Sequence, residues 1–369
     1  MLRISFQKGN PAILILVALF VTLTVLKVHR CAYWGADLRP ISTSMAQKKL
    51  AVILGATRGQ GGSVVNALLK TGRYNIRGVT RDANTPEAHH LTKRGVEIVE
   101  ADLDNQHSLT TAFACSHVIF AVTTMYNGAM DREVTQGKNI ANAAAAAETL
   151  QQFVWSTLPS ASTVSQGKIA VPHMDGKAQV DEYILECLPA LAQKTTFYWG
   201  GFYAENVMYP HLRPNLLASA EKHVWVQPVA AETVMPMVGD HNVNTGIFVE
   251  RVLEMPDVCL PGRYVLGVVD WVANGELLRK WAKVLGEREG RSMDTVYVHS
   301  DLDTVSQLWP GVGKELGGML KLLEDLGKKA WTKDGVSVLT MKDLDLKVGE
   351  KDGDLVGTEK AIRNLGSKF

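Results

Sequence analysis

The chain has 369 residues with 39 Lys and Arg against 38 Asp and Glu, a formal charge of +1, so no basic excess draws it to a phosphate backbone and nucleic acid is not an expected partner. Hydrophobic residues make up 46% and charged residues 21%, which excludes wholesale disorder and provides for a sizeable core. The four cysteines, Cys31, Cys115, Cys187 and Cys259, form no CxxC pair, which argues against a zinc site or a disulfide scaffold and suits a reducing compartment.

The run Pro11 to Leu26, PAILILVALFVTLTVL, carries no charge and falls at the short edge of the roughly 17 to 25 residues that cross a bilayer. It reads as an uncleaved membrane anchor, with a cleaved targeting segment or an extension ahead of a start at Met45 as the alternatives. The slightly heavier basic flank after the run, Lys27, Arg30 and Arg39 against Arg3 and Lys8, places the main domain in the cytosol by the positive-inside rule. A chain that starts at Met45 is expected to be cytoplasmic.

Leu50 to Leu54, LAVIL, is an unbroken apolar run of strand length that stops at glycine, as a parallel strand buried on both faces does. A helix is expected over 62–69, then strands over 75–80, 96–100, 117–122 and 152–156, with helices over 108–114 and 134–147 between them. Strand and helix alternate at the rhythm of a doubly wound parallel sheet, an α/β Rossmann-type fold with a smaller C-terminal substrate lobe. Beyond Thr196 the rhythm loosens, with prolines at 210, 214, 228 and 236; helices return over 245–253 and 275–285. The expected organisation is an N-terminal segment over 1–44, a dinucleotide domain over 45–200, interleaved final strands and substrate lobe over 201–332, and a charged, solvated tail over 333–369.

After the first strand comes GATRGQGGSV, Gly55 to Val64. Glycines at such a turn let the backbone approach a pyrophosphate, whose charge the amides of the next helix hold; a plain tight turn is the other reading. The second strand closes in VTR, with Arg81 where an NAD site carries an acid. A cation there suits a 2′-phosphate and points to NADP(H).

The segments ILGATRGQGGSV, IRGVTRD, VEIVEADLDN, REVTQGKNIANAA and PHMDGKAQVDEY, in this order, resemble the NmrA-like family, atypical short-chain dehydrogenases related to isoflavone reductases. The similarity runs from about Leu50 to Leu285. It implies an NADP(H)-binding domain with a smaller lobe, in a family that includes reductases, often beside tailoring enzymes of natural-product pathways, and non-catalytic dinucleotide sensors that act on a regulatory protein partner.

On this resemblance Gly55 and Gly61 match the first and last glycines of the family's GxxGxxG loop, and Arg58 stands where the middle glycine belongs, with Gly59 beside it. The arginine either crowds the turn through its Cβ, swings outward, or contacts phosphate. Thr57 and Gln60 match positions facing the phosphates, Arg81 the residue on the 2′-phosphate, Asp102 and Leu103 the turn near the adenine, and Thr123 the loop near the nicotinamide.

No tyrosine has a lysine four residues on, so the usual short-chain reductase pair is absent. Lys177, which matches the family's helix lysine, is the candidate catalytic residue, with a purely structural contact to ribose as the alternative. His173, one helical turn earlier if the segment is helical, is a second catalytic candidate, as donor or orienter on the same face, with a surface cap or core histidine as the alternative. Ser156 matches a position where relatives place a hydroxyl near the reacting carbonyl. Phe202, Tyr203 and Asn206, in GGFYAENV, match a segment bordering the substrate cleft. The expected function is reduction by NADP(H) of a carbonyl, enone or benzylic group of a small apolar molecule; the alternative is a redox sensor without turnover.

Overall fold

The computed structural model describes residues 48–124 and 130–366. Seven parallel strands form the central sheet: β1 (Lys49–Leu54), β2 (Tyr74–Thr80), β3 (Glu97–Glu100), β4 (Val118–Ala121), β5 (Gln152–Thr157), β6 (Thr195–Gly200) and, much later in the chain, β11 (Arg263–Gly267). Their spatial order is β11-β6-β5-β4-β1-β2-β3. The order reverses between β1 and β4, and the crevice that opens beyond the carboxyl ends of the strands at such a point is where doubly wound sheets bind ligands. The α/β fold is the one the sequence rhythm predicts.

Burial on both faces explains the continuous apolar runs. Along β1, Val52 and Leu54 join a core that includes Phe153, Trp155 and Trp199, while Ala51 and Ile53 join the opposite core with Phe120, Val154 and Tyr198. Side chains alternate between the faces of a strand, so a strand covered on both sides is apolar at successive positions, as Ala51 to Leu54 are.

The helices that matter for the crevice are α1 (Gly59–Thr71), α2 (Pro86–Lys93), α3 (Gln106–Ala112), α4 (Met130–Ala145), α5 (Pro172–Cys187), α6 (His241–Glu254), α7 (Asn274–Glu289), α8 (Gly313–Leu326) and α9 (Thr358–Asn364). Helices α1 and α6 lie against each other at a glycine: a Cβ on Gly246 would sit 2.3 Å from the Ser63 carbonyl oxygen, and the Gly246 N–H donates to Ser63 Oγ over 2.8 Å. The second half adds two small sheets, β7 (Phe202–Tyr203), β10 (Val234–Gly239) and β12 (Asp270–Ala273) in one, and β8 (Asn215–Leu217), β9 (Lys222–Gln227) and β13 (Thr295–His299) in the other.

Two expectations change. The stretch from Lys333 is not a solvated tail. Leu339 joins Tyr264 and Leu266 of β11 through backbone hydrogen bonds of 2.8 Å each, and Leu344, Leu355 and Ile362 are fully buried. The Asn244 side chain fixes Val356 by donating to its carbonyl and accepting from its N–H, each at 2.8 Å. Charge and glycine at this end mark a strap held down by a few buried leucines and an isoleucine, with Val348 left exposed. The single-pass membrane placement with a cytosolic domain is also corrected: among the described residues no helix is long and apolar enough to cross a membrane, and the Pro11 to Leu26 run on which it rested lies outside them.

If the strap belongs to the cooperative unit, Leu355→Ala, at a site with 0% exposure, should cost about 2–5 kcal/mol through lost burial and the cavity left behind. A urea melt reads this as a lower midpoint. An unchanged midpoint would mean that the strap detaches before the domain unfolds.

Candidate functional site

At the carboxyl end of β1 the chain turns through Gly55 (φ 65°) and Gly59 (φ 55°), left-handed backbone that glycine adopts without cost. Gly61 is required for another reason. A Cβ there would lie 2.2 Å from the Leu54 carbonyl oxygen and 2.5 Å from that of Gly55, so only a bare backbone lets α1 start so close to the strand. Arg58 does not crowd the turn: its backbone is extended (φ −155°, ψ 169°), its side chain is 80% exposed, and it reaches Glu87 at 3.6 Å. The left-handed position falls on Gly59 instead. The N-terminus of α1 has no side-chain cap and no acid in its first turn, which leaves its amide dipoles open to an anion.

These residues form one wall of a cleft of about 1040 Å³. Every residue singled out from the sequence lines it: Gly55, Thr57, Arg58, Gln60, Gly61, Arg81, Asp102, Leu103, Thr123, Ser156, His173, Lys177, Phe202, Tyr203 and Asn206. Arg81 leaves β2 exposed and has no hydrogen bond or ion pair among the described residues. Arg77, on the same strand, is consumed by Glu97 at 2.9 Å and by the Ala112 and Ala114 carbonyls. The turn after β3 is internally tied, Asp102 accepting from the Asp104 N–H over 3.0 Å.

Lys177 projects from α5 into a closed cluster. Its ammonium donates to the Thr123 carbonyl (3.0 Å) and to Thr123 Oγ1 (2.9 Å) and is ion-paired with Glu133 Oε1 at 2.8 Å, and Thr123 Oγ1 donates in turn to Glu133 Oε1 over 2.8 Å. Glu133, 2% exposed, was not anticipated; the only signal was an acid in the first turn of a helix that begins earlier than its alanine-rich stretch suggested. Its second oxygen, Oε2, is buried with no hydrogen-bond partner among the described residues, so a ligand donor would complete it. His173 turns to α8, its Nδ1 2.7 Å from Glu315 Oε1. Burial pulls the Glu315 carboxyl upward, but the hydrogen bonds and charge of His173 outweigh it and hold the group below the usual carboxylate range.

On the other side Ser156 donates to Gln60 Oε1 over 2.7 Å, and Gln60 Nε2 donates to the Tyr203 hydroxyl. The Tyr203 ring stacks on His241 at 4.4 Å, and His241 Nδ1 lies 2.9 Å from Glu205 Oε2. Burial, then the Glu205 carboxylate beside it, pushes Asp240 up to about 6. His241 escaped the sequence because its helix was placed over 245–253; Asp240, whose carboxylate caps α6 by accepting from the Asn242 N–H, is the N-cap signal that would have moved the start back.

Beneath the cleft Asp181, one turn after Lys177, accepts from Trp155 Nε1 over 3.0 Å. Burial dominates and raises it to about 8, against Thr157, Lys333, Trp155 and Lys177, which favour its charged form. The folded protein therefore keeps this proton between about pH 4 and pH 8 while the unfolded chain releases it, so the group's contribution to stability declines as pH rises through that window. Asp181→Asn should flatten the fall in melting temperature between pH 5 and 8, conditions read by calorimetry; an unaltered slope would show the carboxyl to be ionised when folded. Glu133→Ala, which strands an ammonium only 12% exposed, should cost about 3–5 kcal/mol, whereas a change under about 1 kcal/mol in a urea melt would place Lys177 among ordinary surface pairs.

Residues 47–340 match the NmrA-like family. An NmrA-like family domain-containing oxidoreductase of Aspergillus hancockii is 32% identical over 173 residues, 46% of this chain and 51% of that protein. The chain thus spans about half the length of the curated relatives it matches. The solved structure of NmrA, a negative transcriptional regulator, in complex with NADP is similar at a TM-score of 0.66 and 18% identity, over 86% of this chain and 95% of that one. The triphenylmethane reductase of Citrobacter sp., complexed with NADP(H), is similar at a TM-score of 0.60 and 17% identity, over 86% and 99%. These two likenesses establish the shared fold; the match over 47–340, most of the sequence, shows that the chain belongs to the NmrA-like family.

Proposed function

We propose that the protein is an NADP(H)-dependent oxidoreductase that reduces a carbonyl, enone or benzylic group of a small apolar molecule. The observation that carries this reading is a single cleft with two chemically different ends. One end holds the uncapped start of α1 and Arg81, which has no partner among the described residues; the other is apolar, with Phe202, Met235, Leu316, Met319 and Trp331. At about 1040 Å³ it exceeds the roughly 300–1,000 Å³ that a single drug-sized ligand occupies, which suits a dinucleotide and a second molecule side by side.

The residues present fit the cofactor. Gly61 gives the close approach, the first-turn amides of α1 would hold the pyrophosphate, the guanidinium of Arg81 would hold the 2′-phosphate, and the unsatisfied Glu133 Oε2 would accept from a ribose hydroxyl. Bound NADPH supplies the electron pair and the hydrogen that reduction requires. Lys177 holds the Thr123 turn against α4 and so fixes the floor of the cleft. Relatives described as oxidoreductases, and a reductase of the same fold solved with NADP(H), support this reading.

The test follows NADPH oxidation against a panel of flat, apolar carbonyl and enone compounds. Turnover with members of that panel is expected; tight NADPH binding without oxidation by any of them would contradict the enzyme reading. Arg81→Ala should weaken NADPH by about tenfold or more, the worth of one charge-assisted contact, and leave NADH nearly unchanged. Equal losses for the two cofactors, measured by calorimetry, would remove Arg81 from the 2′-phosphate.

A further inference from the structure

Adding hydrogen across a carbonyl requires a proton at the oxygen, and so a donor that faces the substrate with its proton free. Lys177 does not meet this condition, because two of its N–H groups go to Thr123 and its ammonium is held in an ion pair with the buried Glu133 carboxylate. Ser156 gives its own proton to Gln60 Oε1. The neighbouring Thr157 hydroxyl is 1% exposed.

Tyr203 does meet it. The phenol oxygen accepts from Gln60 Nε2, so its one proton is directed elsewhere, and no acceptor takes it among the described residues. The bonds run in one direction, from Ser156 to Gln60 to Tyr203, and each donor polarises the next. Tyr203 is one of the residues that line the cleft, beside Gln60 and Ser156. The ring is held from below by His241, stacked at 4.4 Å and 11°, which Glu205 anchors at 2.9 Å. Gly200, at the end of β6, leaves the space: a Cβ there would lie 3.3 Å from Gln60 Nε2 and 3.7 Å from the Tyr203 hydroxyl. Burial raises the phenol above its ordinary value, which keeps it protonated at neutral pH, the form a donor needs.

We propose that Tyr203 is the proton donor of this oxidoreductase and that its substrate is an apolar carbonyl compound whose oxygen accepts the Tyr203 hydrogen bond; this rests on the reductase reading above. As the carbonyl carbon receives the hydride supplied by the reduced cofactor, the π pair of the C=O bond moves to oxygen. The Tyr203 O–H bond breaks and its proton joins that oxygen, giving the alcohol. The electron pair left on the phenolate is held by the Gln60 amide N–H until solvent returns a proton. Gln60, His241 and Glu205 are positioning residues in this arrangement.

The test uses 4-(dimethylamino)cinnamaldehyde, a flat, apolar enal whose long-wavelength absorption moves to the red when a donor engages its carbonyl oxygen. Added to the protein loaded with NADP+, where no reduction follows, the probe should show a red shift that Tyr203→Phe abolishes. Calorimetry should find the NADP+ affinity of the variant within about twofold of wild type, a ring-preserving change that leaves the cofactor wall alone. With NADPH, kcat for the same probe should fall about 10²-fold or more, the usual worth of a positioned acid, with a smaller change in KM. A red shift that survives Tyr203→Phe, or no red shift in the wild type, overturns the proposal. A red shift that depends on Tyr203, without NADPH oxidation by this or any other carbonyl, would leave Tyr203 as the carbonyl-binding donor and refute the reductase reading instead.

Discussion

The contact on which the site depends is the backbone of α1 lying directly on the end of β1 at Gly61. With a Cβ position only 2.2 Å from the Leu54 oxygen, any side chain would push the helix away from the strand and carry its first-turn amides out of the crevice. Two further features hang on that placement. Gln60, the preceding residue, reaches across to Ser156 and Tyr203, and α6 packs beside α1 through Gly246 and brings His241 within 3.7 Å of a Cβ position on Gly59. One close approach between helix and strand therefore sets both the anion end of the cleft and the hydrogen-bonded wall opposite it.

The second organising feature is a buried charge pair. Taking Lys177 and Glu133 out of water costs several kcal/mol per ion, and their attraction repays this only because Thr123 adds three further hydrogen bonds, two from the ammonium and one to the carboxylate. An apolar pair of similar volume would serve stability as well. What the ions do is fix the Thr123 turn, at the end of β4, to both α4 and α5, so that the floor of the cleft does not shift when a ligand arrives. The same economy holds at Asp181, which burial keeps protonated up to about pH 8 beneath the tryptophans.

Much of this was legible along the chain because it is local. LAVIL followed by glycine specifies a two-face strand and a phosphate turn, and the alternation of apolar runs with helical stretches specifies the doubly wound sheet. Arg58 was ambiguous in sequence because glycine spacing alone does not say which residue takes the left-handed conformation; the backbone gives that role to Gly59. What stayed hidden depends on distance in the chain. Lys177 and Glu133 are ion-paired across two helices, Tyr203 meets Gln60 from 143 positions away, and the strap over 333–366 reads as charged until its sparse leucines are seen to face inward. The apolar run near the N-terminus is equally plain in sequence, but it lies outside the described residues and no described helix takes its place.

The central claim is that a dinucleotide lies on the turn between β1 and α1, and amide hydrogen exchange measured with and without saturating NADPH tests it most directly. The amides of Gly59 to Gly61, which have no partner within the helix, should exchange at least about tenfold more slowly with the cofactor present, as groups that become hydrogen-bonded to phosphate do, while β13 should not change. Saturating NADPH that leaves the exchange of Gly59 to Gly61 unaltered would contradict the claim.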